Sequence, residues 1–386
     1  MTTSSHARLS SRRAHALKPS IIRQMSQRRR ASSIDLTLGQ PCLPPDAQIL
    51  EAAQRRLHDE GHGYTQNAGL PELRALVAEH HGLPQRGGPE HVVMTVGSEQ
   101  GVYMALMACI DPGHEVLVPE PGYPAYRGIV ELLGGVAVPY HPERDTGLVA
   151  RAEALEPLIT ERTRAVVLND PNNPFGTVLP SDELDRLAEL VERHKLVAVC
   201  DEIYRDLRYD GQLHDSLAAR TARAVLVGGL SKSCALTGHR LGYVIADEQT
   251  AAAMTLMNQL MVTCAPRPAQ YVGLQVFLTP GALRAHVPHY EASREAVRQA
   301  GAALGPKNPM HLGQGAFYAV IDVQHQAQGD SLGLAMRLLE DKDVVVVPGV
   351  AFGPSGEWFW RLSYAGGPDE LQLGLRRIAD FLNTVG

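Results

Sequence analysis

The sequence is poor in cysteine, in long apolar runs and in positive charge. Its five cysteines (Cys42, Cys109, Cys200, Cys234 and Cys264) are scattered and odd in number, which argues against a disulfide framework or a structural zinc site. No apolar run approaches the ~20 residues that span a bilayer. The net charge of -6 is unsuited to nucleic acid. These absences favour small-molecule chemistry in a reducing compartment without a metal, nucleic-acid or membrane partner, and we expect a cytoplasmic location.

Acidic residues are also absent from the first 34 positions, which contain eight Arg or Lys. This composition is similar to that of an organelle transit peptide. However, Ile21, Ile22 and Met25 follow Pro19 at helical spacing and lead directly into the rest of the chain. We therefore favour a basic arm followed by an amphipathic helix.

The order of apolar segments predicts an α/β fold. The chain has 386 residues, of which 44% are hydrophobic, and this length is typical of two domains. Short apolar runs lie at 91–96, 115–118, 165–168, 196–200, 224–227 and 243–245, separated by helical patterns. Runs without polar alternation are typical of a doubly wound sheet covered on both faces. Later strands at 316–323, 344–347 and 359–364 indicate a smaller α+β domain.

Lys232 has unusual surroundings for a lysine. It follows the apolar run 224–227 and two glycines, lies among small and hydroxylic residues, and precedes Arg240 by eight positions. It thus lies where a buried strand ends, a common location for chemistry in α/β proteins. Partial desolvation beside a cationic Arg disfavours the ammonium form, as a Schiff-base nucleophile requires. Arg240 itself is suited to a phosphate.

Three interpretations of this segment compete. The first is an ordinary lysine after a strand. The second is a phosphate-binding Walker loop, which needs Gly directly before the Lys and another Gly five residues before that one. Those positions hold Ser231 and Leu226, so this interpretation is excluded. The third is a lysine that bears pyridoxal phosphate, which requires partners for the ring and the phosphate elsewhere in the chain.

Other predicted strand ends have residues suited to such partners. Gly97-Ser98 opens a helix whose free N–H groups suit a phosphate, and Tyr123 lies between prolines, where it is suited to stack on a planar ring. A plain turn and a core tyrosine are the competing interpretations of these two. Prolines on both sides of Asn173 fix the backbone around its amide. Asp201 ends an apolar strand, where a buried carboxylate needs a cationic or donor partner such as a protonated pyridine nitrogen.

Together these segments resemble the class I/II aminotransferases, pyridoxal-phosphate enzymes with the aspartate aminotransferase fold (fold type I). The resemblance extends from 17–20 through 38–41, 64–74 and the central motifs to 359–364. It implies a seven-stranded, mostly parallel sheet in a large cofactor-binding domain at 46–275. An N-terminal arm with part of the small domain is expected at 1–45, and the rest of the small domain at 276–386. It also implies pyridoxal 5′-phosphate as cofactor and a homodimer.

The resemblance implies a role for each matching residue in holding the cofactor. Lys232 would form the covalent bond, Asp201 would pair with the pyridine nitrogen, and Tyr123 would stack on the ring. Asn173 and Tyr204 would bond the phenolic oxygen. The residues implied for the phosphate are Ser98, Glu99 and Gln100, largely through their backbone, together with Arg240, the weaker candidate Ser231, and Tyr64 from the partner subunit.

The same resemblance implies how a substrate amino acid is held. Arg361 would bind the α-carboxylate bidentately, with Asn173 beside it and Gly39 allowing the backbone to approach. Phe175 departs from the family pattern, which commonly has Thr there, and Gly229 stands where some members have a phosphate-binding Ser. Gln40 and Cys42 replace an acidic pattern near the substrate entrance, so the substrate stays open. Candidate cations for a dicarboxylate substrate are Arg12, Arg13, Arg23 and Arg127.

The implied activity is transfer of the amino group of an L-amino acid to a 2-oxo acid by a ping-pong mechanism, as part of amino-acid metabolism. Lys232, Asp201 and Tyr204 are the implied catalytic residues. A β-lyase of the cysteine-conjugate or cystathionine type, a decarboxylase or a cyclase remains an alternative, because all share the covalent link to the lysine. A non-catalytic regulator is a remote alternative, because few residues precede Leu38 to form a DNA-binding domain.

Overall fold

The structure is a computed structural model that describes residue 11 and residues 19–385. Its helices are α1 (Ile21–Gln27), α2 (Ala47–Glu60), α3 (Pro71–His81), α4 (Gly97–Cys109), α5 (Ala125–Leu132), α6 (Ala152–Leu155), α7 (Ser181–Arg193), α8 (Glu248–Met261), α9 (Arg267–Leu278), α10 (Val287–Gly301), α11 (Gln324–Ala327), α12 (Ser331–Lys342) and α13 (Pro368–Val385). Its strands are β1 (Ile34–Asp35), β2 (Val92–Val96), β3 (Glu115–Pro119), β4 (Val136–Tyr140), β5 (Thr163–Asn169), β6 (Val197–Asp201), β7 (Ala224–Gly229), β8 (Leu241–Ile245), β9 (Met310–Leu312), β10 (Tyr318–Asp322), β11 (Val344–Val345), β12 (Val347–Pro348) and β13 (Phe359–Ser363). The predicted helix after Pro19 is α1, whereas most of the basic arm, including Arg12 and Arg13, lies outside the described residues.

A seven-stranded sheet forms the larger part of the molecule, with the strand order β2-β8-β7-β6-β5-β3-β4. Alternate residues of β5 pack into separate cores: Val166 and Leu168 on one face, Ala165 and Val167 on the other. The first core includes residues of α3, α7 and α9, and the second includes residues of α4, α5 and α8. Helices thus cover both faces of the sheet, which is why its strands lack polar alternation. The predicted α/β fold class is confirmed.

The direction of the strands determines where a site can form. Only β8 runs antiparallel to its neighbours β2 and β7, and the other pairs are parallel. The carboxyl ends of β2, β3, β5, β6 and β7 therefore meet at one edge of the sheet, together with the amino end of β8. In α/β sheets, ligands bind at this edge.

A second, antiparallel sheet has the order β12-β13-β10-β9. It contributes to a core with residues of α10, α12 and α13. The N-terminal segment joins this part of the chain, because β1 pairs in parallel with β11. The bounds of the three regions, 1–45, 46–275 and 276–386, stay a prediction. Among the described residues, no helix combines the length and apolarity that crossing a membrane requires.

The apolar runs located most strands to within two residues, but three strands were missed. One is β4, which lies at the edge of the large sheet, is only partly buried and contains Pro139. Proline is tolerated at an edge because the missing N–H faces no neighbouring strand, so an edge strand need not form an apolar run. The others, β1 and β9, are short.

Candidate active site

A cavity of about 640 Å³ lies where the carboxyl ends of the strands meet. Most of the predicted site residues line it, namely Gly39, Ser98, Glu99, Tyr123, Asn173, Asp201, Tyr204, Ser231, Lys232, Arg240 and Arg361. The large sheet provides one wall, while Tyr318 and Arg361 extend from the small sheet and Ile22 and Arg23 from α1. The predicted residues are thus brought together although they span most of the chain.

Lys232 lies just beyond β7, and its Nζ donates a hydrogen bond of 2.7 Å to the carbonyl of Gly39. Burial, reinforced by the positive charges of Arg361 and Arg240, lowers the pKa of Lys232 to about 8. An ordinary lysine has a pKa near 10.4. A substantial fraction of this amine is therefore neutral close to physiological pH, and the neutral amine is the form that attacks a carbonyl group.

Asp201 is the last residue of β6 and is buried. Desolvation raises the pKa of its carboxyl to about 6, although a hydrogen bond from Tyr126 opposes the shift. Among the described residues, its carboxylate accepts hydrogen bonds only from Tyr126 Oη at 2.8 Å and from the N–H of Ile203 at 3.2 Å. The carboxylate therefore lacks a bound cation, and a protonated ring nitrogen would stabilise its charged form.

The turn after β5 holds Asn173 in a fixed orientation. The Oδ1 atom of Asn169 accepts from the N–H of Asn173 at 2.8 Å, and its Nδ2 donates to the carbonyl of Asp201 at 2.9 Å. The Oδ1 atom of Asn173 accepts from Arg361 Nη1 at 3.2 Å. Its Nδ2 donates to no other described residue, so it is free to donate to a ligand in the cavity.

The junction between β2 and α4 forms a positively polarised corner of the cavity. Helix α4 begins at Gly97, so Ser98 and Glu99 lie in its first turn, where N–H groups are free. Arg240 lies directly before β8, with Nη1 donating to the carbonyl of Thr237 at 3.0 Å. A Cβ atom at Gly97 would collide with the Arg240 guanidinium. The glycine thus lets a cation and a helix N-terminus meet, an arrangement suited to a phosphate.

Arg361 lies on β13 of the small sheet, is buried and lines the cavity. Its Nη1 binds Asn173, and its Nη2 donates to the carbonyl of Thr37. Its Nε is buried and has no hydrogen-bond partner in residues 19–385. A buried unsatisfied donor is costly, so an anion that reaches this guanidinium gains a favourable contact.

Gln100 and Tyr64 are the predicted residues that do not line the cavity. The side chain of Gln100 accepts from the N–H of Val96 instead, and its predicted backbone contact with phosphate stays a prediction. Tyr64 is 82% exposed, and its predicted role in a partner subunit is likewise untested. Of the candidate cations, Arg23 lines the cavity and forms no ion pair within the described residues, whereas Arg127 pairs with Glu120 at 2.7 Å.

Sequence reasoning assigned no role to several residues that support the site. Tyr126 holds Asp201, Asn169 holds Asn173, and Thr37 contributes a backbone carbonyl to Arg361. Tyr318 lines the cavity and its hydroxyl lies 2.8 Å from that of Tyr204. Tyr126 follows Tyr123 by three residues in the segment after β3, and this closeness to a predicted site residue was the available signal for it. A backbone carbonyl such as that of Thr37 leaves no signal in a sequence.

Known proteins similar to this chain share its length and its fold. Residues 31–378 match the family model described as aminotransferase class I and II. The chain is 34% identical to the aspartate/prephenate aminotransferase of Thermus thermophilus, over 97% of this chain and 99% of that protein. It is 33% identical to the aspartate aminotransferase of Thermotoga maritima, over 91% and 92%. The solved structure of the Thermus thermophilus aspartate aminotransferase with maleate has a TM-score of 0.89 and 33% identity, covering 96% of this chain and 99% of that one.

Proposed function

Because the chain belongs to the class I and II aminotransferase family, we propose that the cavity described above is its active site and binds pyridoxal 5′-phosphate. The enzyme is an aminotransferase, which moves the amino group of an amino acid to a 2-oxo acid. The observation that supports this site most strongly is the convergence of Lys232, Asp201 and Arg361 on one cavity. An amine, a carboxylate and a guanidinium are the groups needed for the cofactor's aldehyde, its ring nitrogen and the substrate's carboxylate.

The polar groups that line the cavity fit this cofactor. Within the described part of the chain, the buried carboxylate of Asp201 accepts hydrogen bonds from no cationic side chain, and the ring nitrogen would provide a cation. The free Nδ2 of Asn173 and the hydroxyl of Tyr204 would donate to the phenolic oxygen. Tyr123 would lie on the ring face. The phosphate would be held by the first turn of α4 (Ser98, Glu99 and Gln100), by Arg240 and by Ser231.

The bound cofactor supplies an electron sink that makes the Cα–H bond of an amino acid acidic. Residues of the chain then stabilise the charge on the ring and transfer the proton. Asp201 keeps its negative charge beside the ring nitrogen. Lys232 Nζ accepts the proton from Cα as a general base and later donates it as a general acid. The Gly39 carbonyl, 2.7 Å from this nitrogen, helps to position it.

Substrate orientation depends on Arg361. Two anchors, Asn173 Oδ1 and the Thr37 carbonyl, fix the plane of the guanidinium. A fixed fork of N–H donors matches the two oxygens of an α-carboxylate. Binding the carboxylate there aligns the Cα–H bond with Lys232, so positioning as well as affinity depends on this arginine.

We further propose that an acidic amino acid is among the donors. Arg23 lines the cavity without an ion pair in the described part of the chain, so a second carboxylate would find a cation there. The relatives named aspartate aminotransferases support the same substrate class. Glu99 also lines the cavity, but it belongs to the turn that we assign to the phosphate.

The function can be tested by steady-state kinetics with a panel of amino donors against 2-oxoglutarate and pyruvate. We expect parallel double-reciprocal plots, because two half-reactions at one site give ping-pong kinetics, and a higher kcat/KM for aspartate than for alanine. Replacing Arg23 with Gln is expected to lower kcat/KM for aspartate about tenfold while changing that for alanine little. Release of pyruvate and ammonia from a cysteine conjugate without an added oxo acid would instead select a β-lyase.

We also propose a homodimer. Leu256, Leu260 and Met261 are exposed on one end of α8. The segment that follows Tyr64 lies beside this end, because Asn67 Nδ2 donates to the carbonyl of Thr263 at 2.7 Å. Monomers rarely expose contiguous apolar surface of this kind. A partner covering it would meet Tyr64, as its predicted contact with the partner's phosphate requires. A cytoplasmic location remains a prediction from composition.

Light scattering coupled to size exclusion tests the dimer. We expect a dimer for the native chain and a monomer with weaker cofactor binding for Leu260→Asp, because a charge would be buried in the interface. Leu213→Asp is the matched control, since Leu213 is 82% exposed and Leu260 87%, and Leu213 lies on the loop after β6. A dimer that survives Leu260→Asp as well as it survives the control would contradict the proposal.

A further inference from the structure

Tyr318, at the start of β10, contacts both ends of the proposed site. Its side chain is buried and lines the cavity. Its hydroxyl lies 2.8 Å from that of Tyr204, and the guanidinium carbon of Arg361 lies 4.3 Å from the centre of its ring. A Cβ atom on Gly39 would overlap its hydroxyl. One side chain therefore touches a residue assigned to the cofactor's phenolic oxygen and two residues assigned to the substrate's carboxylate.

We infer that Tyr318 is a positioning residue that couples the substrate-carboxylate site to the hydrogen bond between Tyr204 and the cofactor. The inference rests on the proposed function. Tyr318 has two separable parts. Its hydroxyl acts on Tyr204, and its ring supports Arg361.

The hydroxyl part follows from the number of protons available. Either tyrosine can be the donor in the Tyr204–Tyr318 pair, and each hydroxyl has a single hydrogen. When Tyr204 donates that hydrogen to the phenolic oxygen, its own oxygen must accept from Tyr318. A donor behind Tyr204 polarises its O–H bond and strengthens the bond that it makes in turn. Arg361 and Asp201 also act on Tyr204, and Lys232 lines the same cavity.

The ring part follows from how Arg361 is held. Hydrogen bonds from its two Nη atoms anchor the edge of the guanidinium, and the face of the Tyr318 ring lies against the group. A desolvated cation over an aromatic face is attracted to it, and a ring this close also limits movement of the fork toward it. The two hydrogen bonds would remain without the Tyr318 ring, and the Phe352 ring lies farther from the guanidinium carbon, at 5.3 Å. Removing the Tyr318 ring therefore leaves Arg361 charged and anchored at its edge but without its nearer aromatic support.

Gly39 adds an independent constraint. Its carbonyl accepts from Lys232 Nζ, so the position of its backbone matters for the reacting amine. A Cβ atom there would overlap the Tyr318 hydroxyl, while the nearest ring carbons would stand at 3.2 and 3.4 Å. Gly39→Ala is thus expected to be harmful mainly because of that hydroxyl, and Tyr318→Phe should partly rescue it.

The experiment compares Tyr318→Phe, Tyr318→Leu and the control Tyr140→Phe in the cofactor-loaded enzyme. Tyr140 is also a buried tyrosine, whose hydroxyl donates to the carbonyl of Val167 at 2.9 Å and which does not line this cavity. In Tyr318→Phe we expect the pH midpoint of the visible absorption band to rise by about 0.5 unit, because the anionic phenolic oxygen loses stabilisation. The KM for the amino acid is expected to change less than about twofold, because the ring stays under Arg361.

Tyr318→Leu tests the support that the ring gives to Arg361. We expect it to raise the KM for the amino acid about tenfold or more, because the aromatic face is lost. The inference is overturned if Tyr318→Phe leaves the midpoint as unchanged as Tyr140→Phe does, or if Tyr318→Leu changes KM no more than Tyr318→Phe. A native enzyme that never develops the visible band would contradict the proposed function itself. The two failures are thus distinguishable, because the second appears without any variant.

Discussion

Replacing Lys232 with alanine is expected to abolish transamination, with a fall in kcat/KM of about 10⁴-fold or more. The variant loses both the amine that bonds the cofactor and the base that moves the Cα proton. Borohydride reduction is also expected to leave no cofactor covalently attached to the variant. Activity assays, absorption spectra and peptide mass mapping after reduction measure these losses together.

Lys307→Ala is the control for this variant, because Lys307 lies on an exposed turn and does not line the cavity. It is expected to retain the native spectrum and rate. A Lys232→Ala enzyme with more than about a hundredth of native activity would contradict the assigned role. A native protein that stays colourless after addition of pyridoxal phosphate would contradict the cofactor assignment.

The pH dependence of cofactor loading provides a second measurement on the same residue. The pKa of Lys232 is lowered to about 8 by burial and by the neighbouring arginines, and only the neutral amine reacts. The loading rate of the apo-enzyme is therefore expected to rise with pH through about 8 and to level off above it. An ordinary lysine would give a rate that keeps rising toward pH 10.4.

Replacing Asp201 with asparagine is expected to lower kcat about 10²–10³-fold and to weaken cofactor binding. Asparagine keeps the shape of the side chain but removes the negative charge that would keep the ring nitrogen protonated. The ring then accepts electrons from the Cα–H bond less readily. Single-turnover rates and the dissociation constant of the cofactor measure the two effects.

A cofactor methylated at its ring nitrogen distinguishes loss of charge from loss of structure. Its positive charge is permanent, so we expect it to restore part of the rate in Asp201→Asn but not in Lys232→Ala. Asp322→Asn is the control, because Asp322 is a buried carboxylate at the end of β10 that pairs with Arg144 at 2.7 Å. Equal losses in Asp201→Asn and Asp322→Asn would indicate a structural role only.

Much of the cavity could be predicted because its reactive side chains come directly after the strands. Apolar runs located the strands. The residues directly after these runs were polar, although the packing of a buried strand does not require polar residues there. Asp201 was conspicuous because a carboxylate at the end of a buried strand requires a partner. Lys232 was conspicuous because a lysine rarely follows an apolar strand and two glycines.

The supporting residues could not be found in this way. Tyr318 lies among apolar residues, where a tyrosine that packs in a core and a tyrosine that faces a cavity look alike. Tyr318 even belongs to a strand that was predicted from its apolar character. Only the structure shows that its hydroxyl meets Tyr204 and that its ring lies against Arg361.

The sequence by itself determined the fold class, the family and the residues suited to one cofactor, because strand periodicity and the residues at strand ends are local properties. The tertiary structure decided how distant segments close over those residues. It alone brings the Thr37 carbonyl and Asn173 to Arg361, and the Gly39 carbonyl to Lys232. Such contacts join positions far apart in the chain, and no local pattern encodes them because they depend on how the small sheet and the N-terminal segment pack against the large one.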